Sequence, residues 1–153
     1  MSEIDVNILI EQYKMFVESA NKVSERRGQT NAFYISVLTA LLVILSLIIE
    51  KNTFSDQTHL VFFSIGLLGC FLCIVWGLNI QSYKQLNSAK FKVIHDMESN
   101  LPYACFDKEW EYLGRGKDSK KYLKLSIIEK FVPLILSAPY VFLIYYSTCH
   151  FFW

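Results

Sequence analysis

Three stretches of the chain, residues 28–49, 57–83 and 131–153, contain no Asp, Glu, Lys or Arg. A helix needs roughly 20 apolar residues to cross the hydrocarbon core of a bilayer. The first stretch meets that length with an apolar run over 32–49, and the second with one over 60–80. The third contains Pro133 and Pro139 and runs to Trp153. Membrane helices tolerate proline better than soluble ones, so it reads as a third span, with a re-entrant or interfacial segment as the alternative. Between these stretches the pattern becomes amphipathic. Val6, Leu9, Ile10, Tyr13, Phe16, Val17, Ala20 and Val23 form a heptad-like stripe that meets no glycine or proline before Gly28. Tyr83, Leu86, Val93, Ile94, Met97 and Leu101 repeat it after the second stretch, up to Pro102, where the residue before a proline disfavours helix.

The pattern predicts an all-α integral membrane protein forming a single membrane domain over residues 1–153. A helix over 6–49 runs from a cytosolic segment into span 1, and a helix over 57–101 runs from span 2 back into the cytosol. A connector over 102–130 leads to span 3 over 131–153. Each long helix would reach roughly 65 Å at about 1.5 Å per residue. That is a long antiparallel hairpin, half in lipid and half a cytosolic stalk. With the turn centred near Phe54–Ser55, facing residue numbers sum to about 110. This sets Val17 against Val93, Tyr13 against Met97 and Ala20 against Lys90. It also sets Glu25 beside Lys84, Glu18 beside Lys92 and Lys14 beside Asp96, three opposite-charge pairs that choose the register. Asn31 and Asn79 fall at matching depth and are expected to share an interhelical hydrogen bond. In the connector, Phe106, Trp110, Tyr112 and Leu113 are expected to pack on the hairpin base. Gly114-Arg-Gly116 and Lys117-Asp-Ser119 read as a turn, and a short helix with Tyr122, Leu125 and Ile128 leads into span 3.

Composition agrees with a membrane class. The 153 residues are 53% hydrophobic and 19% charged, against about 25% charged in soluble domains. A net charge of +1 gives no field to attract nucleic acid. Lys and Arg are unevenly placed: four precede the first stretch, one (Lys51) lies between the first two, and ten fall between the second and the third. By the positive-inside rule the N-terminus and the connector are cytosolic, in a multi-pass cell membrane protein of the bacterial inner-membrane kind. No basic n-region leads into a short apolar stretch, so the first span is expected to remain as an anchor. Trp76 and Tyr83 would sit near the inner interface. Tyr145, Tyr146, Phe151, Phe152 and Trp153 would form an outer belt.

The candidate chemistry is sparse. Cys70 and Cys73 have redox or metal spacing, but in the middle of an apolar span they read as small packing residues. Cys105 and Cys149 fall on opposite sides of the membrane. Gly69, Cys73 and Gly77 form a small-xxx-small ladder, with Gly66 and Cys70 on a neighbouring row and Ser36 and Ala40 as a shorter match on span 1. Such a ladder lets backbones approach closely, for helix packing within the chain or for an oligomer contact. Arg26, Arg27 and Lys84 stand where the chain enters the membrane. They read as headgroup anchors, with a specific anionic ligand as the alternative. His59, His95 and His150 are scattered, and no His, Cys and carboxylate set has metal spacing. No nucleophile has a base beside it, and Gly114-Arg-Gly116 lacks the rest of a phosphate loop. No cofactor, metal site or enzymatic activity is expected.

The flanks of the spans carry a resemblance. Tyr13-Lys-Met-Phe-Val-Glu-Ser-Ala-Asn-Lys-Val-Ser-Glu-Arg-Arg27, followed by Asn31-Ala-Phe33, resembles the approach to the first span in the RipA-family small membrane proteins. Ser82-Tyr-Lys-Gln-Leu-Asn-Ser-Ala-Lys-Phe-Lys-Val-Ile94, then Met97-Glu-Ser-Asn-Leu-Pro102 and Glu109-Trp110, resembles the exit of their second helix. The resemblance implies a homo-octamer and no defined biochemical activity. A more distant likeness is to the two-span SLATT effector modules, from which the third apolar run departs. The expectation is a homo-oligomeric membrane assembly with a cytosolic helical layer and a pore-like or lipid-filled centre. Its partners would be the lipid bilayer and further copies of itself. The alternative is a membrane-anchored scaffold whose cytosolic surface recruits a protein partner.

Overall fold

The computed structural model describes residues 3–51, 57–117, 120–123 and 125–151, excluding the side chains of 3–5, 126, 150 and 151. Four α-helices make up the described chain: α1 (Glu3–Glu50), α2 (Thr58–Glu98), α3 (Cys105–Tyr112) and α4 (Leu125–Phe151), with a 3-10 turn at Gly114–Gly116. There is no strand among the described residues. α1, α2 and α4 are each long and apolar enough to cross a membrane. The expected hairpin turn at 54–55 lies outside the described residues, as do Asp118 and Ser119 of the connector turn and Phe152 and Trp153 of the outer belt. α4 starts at Leu125 and runs through both of its prolines as one helix. Tyr122 therefore precedes the helix it was expected to join.

The chain divides into two compact units. One comprises residues 29–80 and 128–153, where parts of α1, α2 and α4 pack as three helices. Its core is Tyr34, Leu38, Cys73, Trp76, Ile80 and Tyr140. Helices in lipid gain little from hydrophobic association and depend on close approach and interhelical hydrogen bonds. Both occur at Tyr140, which is fully buried. Its ring lies directly over Gly69, where a Cβ would fall into the ring. Its hydroxyl donates to the Leu38 carbonyl on α1. A Cβ on Gly66 would come within 2.9 Å of the Tyr140 carbonyl oxygen and 3.2 Å of the Ile144 nitrogen. Here the approach is backbone to backbone, and only glycine allows it.

Polar groups in this unit are joined in pairs. The rings of Tyr34 and Trp76 stack at 5.7 Å with 9° between their planes. Trp76 Nε1 donates to Asn31 Oδ1 at 2.8 Å, and Asn79 Nδ2 donates to the Tyr34 hydroxyl at 2.9 Å. Asn31 Nδ2 also reaches Glu129 Oε1 at 3.4 Å. The two asparagines thus serve opposite members of one aromatic stack instead of bonding each other. Trp76 is fully buried and takes no place in an interfacial belt. An indole N–H inside an apolar unit must find an acceptor, and Asn31 supplies it. The opposite side of α1 is bare. Ser36, Thr39, Ala40, Val43, Ser46 and Leu47 are all exposed, and the three hydroxyls bond back to carbonyls of their own helix.

The second unit comprises residues 1–28 and 81–127. Its helices meet close to the expected register. The Tyr13 hydroxyl donates to Glu98, and Lys90 Nζ donates to Ser19 Oγ at 2.7 Å while lying over the Phe16 ring. The three charge pairs that suggested this register do not form. Lys14 pairs with Glu11 and Lys22 with Glu18, on their own helix. Lys84 and Lys92 make no ion pair among the described residues. A partner three or four residues away is always within reach of an exposed helical side chain, whereas facing helices must be held at a fixed distance. The buried Glu98 carboxylate and Lys90, each bonded to an uncharged partner on α1, mark this pairing.

The glycine geometry yields an ordering of stabilities. Gly66→Ala and Gly69→Ala each force α2 from α4 and are expected to cost about 1–3 kcal/mol, as overpacking does. Gly77→Ala, with nothing within 4 Å of its Cβ position, is expected to leave the monomer fold unchanged. Thermal denaturation of the three variants in one detergent checks the ordering.

Candidate interfacial cavity

One face of α2 in the second unit carries Lys84, Asn87, Ser88, Phe91, Lys92 and His95, spaced at three and four residues so that they align. They line an open cavity of about 560 Å³ that is walled on its other side by Phe106, Glu109 and Trp110 of α3, with Tyr122, Leu125 and Arg27 also lining it; Lys84, Ser88 and Lys92 are exposed. Arg27 and Lys84 are the first charged residues beyond the uncharged stretches 28–49 and 57–83.

The α3 wall is held by Glu98. This carboxyl group is 1% exposed. Oε1 accepts from the Tyr13 hydroxyl at 2.9 Å and from the Phe106 N–H at 2.8 Å, and Oε2 accepts from the Asp107 N–H at 3.0 Å. Those two amides belong to the first turn of α3, where helical N–H groups have no intrahelical acceptor. Ala104, at the N-cap, has no side chain that could serve. Glu98 therefore caps α3 from a different helix. With α3 in place, Phe106 packs edge-on to Phe91 at 5.7 Å, and Trp110 packs edge-on to Tyr122 at 6.2 Å. Tyr112 was expected to pack here too but is 77% exposed. After α3 the chain turns through Gly114, Arg115 and Gly116, all at positive φ. Two of the three are glycine, the residue that adopts this conformation freely, and Arg115 comes within 3.9 Å of Asp107.

The polar side chains of the cavity contrast with their neighbours. Lys90 is satisfied by Ser19 and Phe16. Lys84, Ser88, Lys92 and Glu109 make no hydrogen bond or ion pair among the described residues. Nor does the Asn87 amide, whose Oδ1 is buried. Three cations, Arg27, Lys84 and Lys92, face one carboxylate, Glu109.

The other residues singled out from the sequence lie as follows. Arg26 is exposed and does not line the cavity. In the three-helix unit, Gly69 lies under Tyr140 and Cys73 is in the core, while the Cβ position of Gly77 opens on empty space. Cys70, Cys73, Cys105 and Cys149 are free thiols. Glu98 was not anticipated. Its only sequence signal is a carboxylate at the end of a helix, a few residues before a short amphipathic segment that lacks its own N-cap.

A family model described as the octameric membrane protein family (8xMP) matches residues 10–149. The chain belongs to that family. The match spans both units of this 8xMP chain and agrees with the likeness seen in residues 13–27 and 82–102. It is a membrane protein, as its three apolar helices require. No curated protein and no solved structure matches it.

Removing the Glu98 carboxylate should free the α3 wall. Glu98→Ala is expected to cost about 1–3 kcal/mol in lost acceptors, read as faster amide exchange over Cys105–Tyr112 with the membrane helices unchanged. The contact should also respond to alkali. Burial, reinforced by the hydrogen bond to Glu98, raises the pKa of Tyr13 well above its ordinary value. A raised tyrosine pKa contributes stability that is complete below about pH 10 and is lost as pH rises beyond it. Protection of the α3 amides, taken relative to their intrinsic base-catalysed exchange rates, should therefore fall above about pH 10, and Tyr13→Phe should remove that fall.

Proposed function

We propose that the protein assembles as a homo-octamer in a cell membrane of the bacterial inner-membrane kind, with a cytosolic N-terminus, a cytosolic helical layer and a pore-like centre closed at rest. Octamer formation is the property named in the description of its family, and membership over residues 10–149 carries the reading. The orientation rests on the Lys and Arg asymmetry of four and ten against one.

The exposed α1 stripe supports the pore-like centre. Ser36, Thr39, Ala40, Val43, Ser46 and Leu47 are small, hydroxylated or apolar, and none carries charge. Small residues allow neighbouring copies to approach. A lining of this kind gates by wetting rather than through a ring of charges. The reading assigns the chain no reaction. The second reading is a scaffold that recruits a cytosolic protein, and it rests on Tyr103 and Tyr112, which are 63% and 77% exposed outside the apolar stretches.

Three measurements test these readings. Mass photometry of the detergent-solubilised particle should give eight copies, and Ala40→Leu should lower the mass without loss of helix. A reporter that is active only outside the membrane should work after Trp153 and fail before Met1. In liposomes the wild type should show no steady ion flux, whereas Val43→Asn or Leu47→Asn should raise it by wetting the constriction. Absence of flux from intact octamers of either variant would leave the scaffold reading.

A further inference from the structure

From the cavity on α2 we infer a binding site for a phosphate-bearing ligand, with Lys84 and Lys92 as its charge and Asn87 and Ser88 as its neutral hydrogen-bonding groups. The inference goes beyond the oligomer reading and does not depend on it. Four observations combine. First, the lining carries Lys84 and Lys92, neither in an ion pair among the described residues, against one carboxylate, Glu109, in a concavity of about 560 Å³, within the range of small-molecule sites. Second, Lys84, Asn87, Ser88 and Lys92 on the cavity face make no hydrogen bond or ion pair among the described residues, while Lys90, which faces α1, bonds Ser19 and lies over the Phe16 ring. Third, the Asn87 amide makes no hydrogen bond among the described residues, which leaves Nδ2 as a donor to a phosphate oxygen and the buried Oδ1 as an acceptor for a hydroxyl of the ligand. An unmet polar group of this kind is costly unless a ligand or water meets it. Fourth, the opposite wall on α3 is aromatic, with Phe106 edge-on to Phe91 of α2, Trp110 edge-on to Tyr122, and α3 anchored by a dedicated carboxylate.

A phosphate suits this arrangement better than a carboxylate. Lys84, Asn87, Ser88 and Lys92 lie along two turns on one face of α2 and present several donors to the same space. A phosphate group offers more acceptor oxygens to them than a carboxylate does, and lysine serves phosphate as a point charge. The aromatic wall takes the carbon-bearing remainder of the ligand. That chemistry has two sources, a phospholipid headgroup and a soluble phosphate. Arg27 and Lys84, as the first charges beyond two spans, stand where either would be met.

The test uses the full-length protein in a non-ionic detergent. In one arm dioleoylphosphatidylglycerol is added to the micelles and bound lipid is counted by native mass spectrometry. In the other, sodium phosphate is titrated calorimetrically against sodium chloride of equal ionic strength. Lys84→Gln with Lys92→Gln, and separately Asn87→Ala, are compared with Lys14→Gln plus Lys22→Gln, an equal charge change outside the cavity. Particle mass and melting temperature are read first, so a loss of binding in an intact particle concerns the cavity alone. The cavity lysine pair is expected to weaken binding about tenfold or more, Asn87→Ala to weaken it less, and the distant pair to leave it unchanged. Binding of the lipid alone identifies a headgroup, and binding of phosphate alone a soluble ligand. Binding of neither probe by wild type, or equal losses in the cavity and distant pairs, overturns the proposal.

Discussion

The contact between Tyr140 and Gly69 is the constraint around which the three-helix unit is built. Water drives apolar surfaces together in a soluble protein, but lipid is as apolar as the helices it surrounds. What remains is contact distance and hydrogen bonding. Gly69 removes the side chain that would hold α4 away, the Tyr140 ring occupies the space, and its hydroxyl reaches past α2 to the Leu38 carbonyl. One side chain thus fixes α4 against two helices. Gly66, one turn earlier, brings the backbones together along the same line.

Several groups of that unit also meet the second demand of an apolar solvent, that polar atoms be satisfied internally. Trp76 and Asn31, Tyr34 and Asn79, and Ser147 and the His59 carbonyl each do so between helices. Exposed Ser36, Thr39 and Ser46 do so within one helix. The unit made of residues 1–28 and 81–127 uses different means for the same end. There one carboxylate, Glu98, gathers a phenol and two backbone amides, and a short helix with no cap of its own is held in place. Replacing such a group affects every donor it serves, because each is left without an acceptor.

α2 shows how one helix divides its work. In the three-helix unit its small residues Gly66, Gly69 and Cys73 admit α4. In the other unit its Lys90 binds α1 residues, while Lys84, Asn87, Ser88 and Lys92 keep their polar groups uncommitted around a cavity. Exposed apolar residues such as Phe71, Ile74 and Leu78 on α2 and Leu134, Ile135 and Phe142 on α4 would demand explanation in water. In a membrane protein of an octameric family they are the surface that lipid and neighbouring copies are suited to cover.

The all-α class, the three spans, the continuity of the long helices and the approximate register were legible in the sequence. Each depends on one-dimensional quantities: lengths of uncharged runs, apolar period and the absence of helix breakers. The family was legible in the polar flanks at 13–27 and 82–102. What the sequence could not decide was which residue meets which. Charges on Glu18, Lys92, Lys14 and Asp96 suggested the right register for a reason the structure does not use, since exposed charges found partners along their own helix. Asn31 and Asn79 were placed at one depth, but depth does not say that an aromatic stack lies between them. Gly69, Cys73 and Gly77 look equivalent as a ladder. Tertiary structure separates them because a helix turns by 100° per residue, and only the placement of α4 determines which rungs it covers. Glu98 and the cavity are decided by the fold alone: α3, eight or nine residues beyond Glu98, must fold back against α2, and Tyr13, 85 residues away, must meet them before a carboxylate gains its donors and a row of lysines gains an opposite wall.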